Sequence, residues 1–188
     1  MLRSMRRALP FLALTLAASG CGYNTLQGLD EQVNKAKAQI ATQLQRRADL
    51  VPNLVETVKG VAAQESTVYI GVAEARSRLS AAVSSGNLQE MAQANAALTA
   101  PLSRLIAVAE AYPELKSNAN FTQLQDQLEG TENRIAVARQ DYNTAVESFN
   151  SSIRKFPTNL TAKMFGLGSP REYFEADAAA AEAPKVKF

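Results

Sequence analysis

The chain has 188 residues, of which 20 are Lys or Arg, 18 are Asp or Glu and none is His. Without histidine it can build neither a His-based catalytic triad nor a His metal site, and its single cysteine cannot form an internal disulfide. Basic and acidic residues are interleaved instead of forming a basic stripe, which argues against nucleic-acid binding. We therefore expect no metal, no cofactor and no nucleic-acid partner.

Residues 1–20 have the layout of a cleaved secretory signal. Arg3, Arg6 and Arg7 precede an apolar run over residues 8–18. This run is too short to cross a bilayer, which takes about 20 apolar residues. Because the small residues that follow end at the only cysteine, Cys21, the segment resembles a bacterial lipoprotein signal, in which the cysteine is acylated.

Acylation of Cys21 would hold the protein on a membrane, since each buried methylene contributes about 0.8 kcal/mol. The next residue, Gly22, is not the aspartate that retains many lipoproteins at an inner membrane, so we favour the periplasmic face of an outer membrane. Plain secretion and an uncleaved membrane anchor are the alternatives. The mature chain carries 17 basic and 18 acidic residues and a net charge of −1.

Four long helices are predicted, because apolar residues recur at steps of three and four along the mature chain. The first runs from about Asn24 to Arg47. The second follows an N-cap at Asp49, tolerates Pro52 in its first turn and ends near Gly86.

The third predicted helix begins at Asn87, which together with Glu90 resembles a capping box. Pro101 should bend this helix, since the carbonyl four residues earlier loses its amide partner. Pro113 helps to end it.

Asn118 or Asn120 opens the fourth predicted helix, which continues to Phe156. Four amphipathic helices with short connections predict an all-α protein, an antiparallel up-down four-helix bundle over residues 21–165. Residues 166–188 are predicted to be an irregular, Ala-rich tail.

Aromatic side chains near the end of the bundle are predicted to pack against it. They are Phe165, Tyr173 and Phe174. The alternative is a peptide ligand for another protein.

Glu65 occupies a position between Val61 and Val68 where the second helix calls for an apolar residue. At about 1.5 Å of rise per residue, Arg134 lies at nearly the same level of the fourth helix. We therefore predict a buried polar pair, Glu65 with Arg134, that fixes helix register. The alternative is a desolvated carboxylate with a raised pKa that carries protons.

Charged and aromatic residues are predicted to share one end of the bundle, far from the N-terminal anchor. They are Arg46, Arg47, Asp49, Tyr112 and Lys116. Arginines at a helix C-terminus can simply complement its dipole. The alternative is a partner-binding tip for an envelope protein.

Several long segments, in order, carry a resemblance to a known family. They are Gly22 to Asn24, Arg46 to Gly60, Ala75-Arg76, Leu102 to Leu105, Ala109 to Lys116, Gly130 to Arg139 and Phe156 to Asn159. Over essentially its whole mature length the chain resembles the LemA family. The resemblance implies a membrane-attached, mostly helical bundle with no established enzymatic activity. Where the family is expected to hold His-Glu, this chain has Gln64-Glu65.

Two classes of function follow. The first is a membrane-anchored, non-enzymatic scaffold or interaction protein of the bacterial envelope, which needs no reactive side chain. The alternative is an envelope hydrolase using acidic residues such as Glu65 or Glu132, which would need a carboxylate with a shifted pKa in an accessible cleft. A small-ligand or lipid carrier lies between the two.

Overall fold

A computed structural model describes the backbone of residues 2–174 and the side chains of residues 22–174. Within this part of the chain the regular structure is entirely α-helical, so the predicted all-α class is confirmed. The helices are α1 (Leu2–Lys59), α2 (Ser66–Ser85), α3 (Leu88–Glu110), α4 (Pro113–Lys116), α5 (Ala119–Ser152) and α6 (Thr158–Met164).

Two predicted features lie outside the described residues. The side chain of Cys21, which we predict to be acylated, is one, and the Ala-rich part of the tail beyond residue 174 is the other. The backbone of residues 2–20 belongs to α1. None of the described helices combines the length and the apolar character that a membrane span requires.

The chain divides into two compact units. Unit 1 contains residues 2–36 and 141–173, and unit 2 contains residues 37–140 together with Phe174. Both α1 and α5 therefore contribute residues to each unit.

The predicted helix break before Asp49 is wrong, because α1 continues through Pro52 to Lys59. A proline inside a helix offers no N–H to the carbonyl four residues earlier, here that of Ala48. The Nε of Arg76 in α2 donates a hydrogen bond to this oxygen at 3.0 Å and replaces the missing amide. A side chain from another helix thus compensates for the proline, and α1 passes through it.

The break comes instead at residues 60–65, between α1 and α2. Ala62 is buried there, and its carbonyl accepts a hydrogen bond of 2.6 Å from the Tyr69 hydroxyl. Burial raises the pKa of that phenol. Glu65 directly precedes α2 and is half-buried, so it does not lie on an apolar stripe inside a helix as predicted.

Antiparallel pairing of α1 and α2 within unit 2 follows from their contacts. The carbonyl of Ala48 in α1 accepts a hydrogen bond from Arg76 in α2. Further along α1, the Nζ of Lys59 lies 5.7 Å from the ring centroid of Tyr69, which comes before Arg76 in α2. The up-down order of the remaining helices stays a prediction.

The predicted cap of α3 is confirmed, since Asn87 Oδ1 accepts hydrogen bonds from the amides of Gln89 and Glu90. The Glu90 carboxylate does not complete a capping box, because it accepts from Ser85 Oγ at 2.7 Å. Gly86, in the left-handed conformation with φ of 70°, ends α2.

Asn118 opens α5, as one of the two predicted positions, by accepting from the amides of Asn120 and Phe121. The helix ends at Ser152, short of the predicted Phe156. Pro101 lies inside α3, and the bend expected there stays a prediction.

In unit 1 the irregular segment around Arg171, after α6, is held by polar contacts to α1 and α5. The amide nitrogen of Arg171 donates to Asn150 Oδ1 at 2.7 Å, and its carbonyl accepts from Asn150 Nδ2 at 2.9 Å. Its guanidinium group lies 2.6 Å from Asp30 Oδ1 on α1. The Tyr142 hydroxyl of α5 donates to the carbonyl of Glu172 at 2.9 Å, and burial raises its pKa.

Of the three aromatic anchors predicted in this region, Phe174 alone is buried. Its ring in unit 2 has the Cζ of Arg139 4.8 Å from its centroid. Tyr173 and Phe165 are about half-exposed, and the Phe165 ring contacts that of Tyr23 in unit 1. The prediction of packed side chains is therefore confirmed for Phe174, whereas Tyr173 and Phe165 are buried only in part.

The substitution Arg76→Ala should lower the free energy of unfolding by about 1–3 kcal/mol, because it leaves the buried carbonyl of Ala48 without a donor. In a Pro52→Ala background the amide of residue 52 can bond to that carbonyl, so the same substitution should cost clearly less. Urea denaturation followed by circular dichroism measures both costs. Arg78→Ala, at an exposed position of α2, is the matched control. Equal costs of Arg76→Ala in both backgrounds would contradict this explanation.

Candidate functional site

Arg47 of α1 is a charged side chain inside unit 2, with 5% of its surface exposed. Its Nη1 lies 2.7 Å from Glu132 Oε2 of α5 and also donates a hydrogen bond to Asn95 Oδ1 of α3. Asn95 is itself buried, whereas the Glu132 side chain is about half-exposed. One guanidinium group thus joins α1, α3 and α5.

Burial lowers the pKa of the Arg47 guanidinium, and the Glu132 carboxylate opposes this by favouring the charged form. Arg139 of α5 lowers the Arg47 pKa further as a nearby cation. Burial lowers the pKa of Arg139 as well, again opposed by Glu132. Arginine keeps its proton in proteins, so this set of side chains, the Arg47 cluster, holds two cations around one carboxylate.

The contacts of the Arg47 cluster connect helices to one another. Both cations are fixed charges, and the carboxylate is engaged by the Arg47 guanidinium. Ala48, the next residue, accepts the hydrogen bond from Arg76 of α2. Two consecutive residues of α1 therefore hydrogen-bond to α2 and α3 and form an ion pair with α5. Among the described residues, no group of three or more Cys, Asp or Glu side chains is placed to hold a metal ion.

Arg46 points in a different direction from Arg47, because successive helix residues are about 100° apart around the axis. It is exposed and lines an open groove between α1 and α2. We call this the α1 groove; its lining residues are Ala41, Thr42, Gln45, Arg46, Asp49, Leu50, Asn53 and Val83. Asp49 is exposed and accepts a hydrogen bond of 2.8 Å from Gln45 Nε2.

The predicted tip is not assembled, and the reason is the continuity of α1. Arg46, Arg47 and Asp49 lie inside a helix instead of at its end. Asn95, the partner of Arg47, lies about 22 Å along α3 from the last residue of that helix. Tyr112 follows α3, and its hydroxyl accepts from Gln64 Nε2 at 3.1 Å in the connection between α1 and α2.

Lys116, the last residue of α4, is exposed close to Tyr112 in the chain and therefore also lies away from the Arg47 cluster. The predicted buried pair of Glu65 with Arg134 is corrected as well. Arg134 is exposed on α5 and Glu65 is half-buried before α2. The buried cation is Arg47, and the carboxylate that meets it is Glu132.

Sequence reasoning did not recognise Asn95 and Arg139 as members of the cluster. A signal was present for the buried polar residues, because each interrupts an apolar stripe. Asn95 lies between Met91 and Leu98, and Arg47 lies between Leu44 and Val51, at helical steps of three and four. Polar residues on the stripes of different helices are candidates to meet each other.

The chain is similar to proteins of a known family. The model of the LemA family matches residues 36–188. Curated relatives include the magnetosome proteins MamQ 1 and MamQ 2 of Paramagnetospirillum magneticum, each 27% identical over 176 residues. MamQ of Magnetospirillum gryphiswaldense is 25% identical over 175 residues. These alignments cover 81% of this chain and 64% of each relative, so the chain spans less than two thirds of the relatives' length.

Arg47→Ala should lower the free energy of unfolding by about 1–3 kcal/mol, because it leaves the buried side-chain carbonyl of Asn95 without its donor. Arg46→Ala, the matched control one residue away, should change it by less than about 0.5 kcal/mol. Urea denaturation of both variants gives the two values. Similar losses for the two arginines would contradict the distinction between a buried and an exposed side chain.

Proposed function

The chain belongs to the LemA family, and on this premise we propose that it is a lipid-anchored adaptor of the bacterial envelope that binds a partner protein in its α1 groove. The family and the likeness to magnetosome proteins indicate association with a membrane. The groove, the acyl anchor and the non-enzymatic role are parts of the proposal.

The adaptor proposal rests on the different environments of Arg46 and Arg47. Arg47 is buried and its guanidinium is engaged in contacts inside unit 2, whereas Arg46 is exposed in the α1 groove. The contacts of the Arg47 cluster inside unit 2 fix the same stretch of α1 that lines the groove. The groove is therefore preorganised in this proposal, which lowers the conformational entropy lost when a partner binds.

The α1 groove has the composition of a peptide-binding surface. Leu50 and Val83 contribute half-buried apolar surface, and Arg46, Asp49 and Asn53 are exposed polar groups beside it. Apolar surface gives affinity, and charges of both signs at the edge select a partner segment of complementary charge. A helix or extended segment of an envelope protein fits this description.

The placement of the candidate acids supports a non-enzymatic role. Glu132 is engaged by Arg47, and Glu65 lies at the start of α2. A carboxylate already paired with a buried guanidinium serves the fold, because moving it to act on a substrate would leave that cation unpaired.

The membrane setting follows from the sequence of the N-terminus. The signal-like residues 1–20 end at Cys21, and acylation of that residue would attach the mature chain to a membrane, with the periplasmic face of the outer membrane favoured. The relatives are magnetosome proteins by name. Only the membrane setting is carried over from them to this chain.

Cys21→Ser should release the protein from the membrane fraction and remove the mass of the acyl chains. Cell fractionation and intact mass spectrometry of the purified protein measure the two effects. Ser19→Ala, two residues earlier, is a control that leaves the cysteine intact. A Cys21→Ser protein that stays fully membrane-bound and keeps the wild-type mass would contradict the acyl anchor.

A photo-cross-linker placed at exposed Thr42, which lines the groove, should capture one recurring envelope protein in intact cells. Arg46→Glu should abolish this adduct, because it reverses the charge at the groove, without lowering the free energy of unfolding. Arg104→Glu, an exposed charge reversal on α3 that does not line the groove, should leave the adduct unchanged.

Adducts to lipid and scattered abundant proteins only, or an adduct insensitive to Arg46→Glu, would contradict the adaptor proposal.

A further inference from the structure

Unit 1 exposes several large apolar side chains on and beside α6. Leu160 and Met164 of α6 are 57% and 72% exposed, and Phe156, just before the helix, is 80% exposed. Leu160 and Met164 are four residues apart in α6 and therefore lie on the same side of that helix. Phe165 adds a further half-exposed ring. We call these four residues the α6 patch.

Exposed cations lie close to the α6 patch in the chain. Residues 148–171 contain Arg154, Lys155, Lys163 and Arg171 and no acidic residue. Arg154, Lys155 and Lys163 are exposed, whereas Arg171 is paired with Asp30. An apolar surface flanked by exposed cations matches an anionic lipid surface, with acyl chains below and phosphates above.

The α6 patch also lies beside the point where the chain leaves for its predicted anchor. A Cβ placed on Gly22 would lie 3.3 Å from Thr161 Oγ1, so residue 22 of α1 packs directly on α6. The rings of Tyr23 and Phe165 have centroids 4.5 Å apart. Cys21 precedes these residues in the chain. An acyl group on Cys21 would therefore bring the patch to the membrane surface.

From exposure, charge and position together, we propose that the α6 patch inserts into the interface of an anionic membrane as a second, non-covalent contact; this inference rests on the proposed acyl anchor. Side chains of this kind lie about 5–10 Å into the boundary between headgroups and acyl chains. The flanking cations pair with lipid phosphates. Two contacts at separate points would restrict how unit 1 tilts on the membrane.

A lipid surface explains the observations better than a second copy of the chain does. Self-association would bring Arg154, Lys155 and Lys163 of one copy against the same cations of the other, in a stretch without acidic residues. Like charges at an interface oppose association. Anionic lipid instead neutralises them.

The test uses tryptophan fluorescence, because the chain contains no tryptophan of its own. Full-length acylated protein carrying Leu160→Trp, and separately Met164→Trp, is placed in vesicles of phosphatidylethanolamine and phosphatidylglycerol. Ile70→Trp is the matched control, since Ile70 is 60% exposed on α2 in unit 2. In vesicles the emission of L160W and M164W should shift to the blue and be lost when the acyl chains are brominated. The I70W emission should do neither.

A charge variant tests the role of the cations. Arg154→Glu with Lys155→Glu in the L160W protein should reduce the quenching by brominated lipid. Arg104→Glu, far along the chain on α3, should not.

The outcomes separate this inference from the adaptor proposal. If the protein floats with vesicles but the L160W emission, like that of I70W, is neither shifted to the blue nor quenched by brominated lipid, the α6 patch does not touch lipid. The proposed anchor and groove are unaffected by that result. If the L160W blue shift appears without lipid and grows with protein concentration, a second copy covers the patch and the inference is overturned. A protein that does not float with vesicles contradicts the anchor and the patch together.

Discussion

Two adjacent residues of α1 contact three other helices of unit 2 through polar groups. Arg47 donates a hydrogen bond to Asn95 of α3 and forms an ion pair with Glu132 of α5, and the carbonyl of Ala48 accepts a hydrogen bond from Arg76 of α2. Apolar stripes alone permit neighbouring helices to slide by a turn at modest cost, because one leucine can replace another. A slip of the buried Arg47 guanidinium costs more, since it would leave that cation and the side-chain carbonyl of Asn95 without partners.

This constraint also explains how the same segment serves a proposed function. Since Pro52 removes one backbone hydrogen bond, α1 needs the side chain of Arg76 to continue through this segment. With Arg47 facing inward, Arg46 faces outward beside Asp49 in the α1 groove. A segment stabilised by interhelical contacts on one side can therefore present exposed charges on another side at little cost to the free energy of unfolding.

Local features of the fold were predictable from the sequence, whereas those that depend on contact between helices were not. Asn87 and Asn118 cap α3 and α5 through amides two and three residues away, so short-range chemistry decides these positions. The end of α1 was not predictable, because Asp49 and Pro52 read locally as a helix start and Arg76, which overrides that reading, lies on another helix.

The candidate site followed the same division. The exposure of Arg46 and Asp49 agrees with a binding role. Helical spacing puts Arg47, and not Arg46, on the apolar stripe between Leu44 and Val51, but its partners Asn95 and Glu132 lie on distant parts of the chain and could not be identified from that spacing. The α6 patch escaped the helical pattern analysis, because seven residues are too few to establish a period.

A double-mutant cycle between Arg47 and Glu132 tests most directly whether this contact sets the register. The measurement compares the free energy of unfolding of Arg47→Met, Glu132→Gln and the double variant with that of the wild type. We predict a coupling energy of about 1 kcal/mol or more, within the range found for side chains in contact. Strictly additive losses would show that the two residues do not stabilise each other, and would contradict the central role given to Arg47.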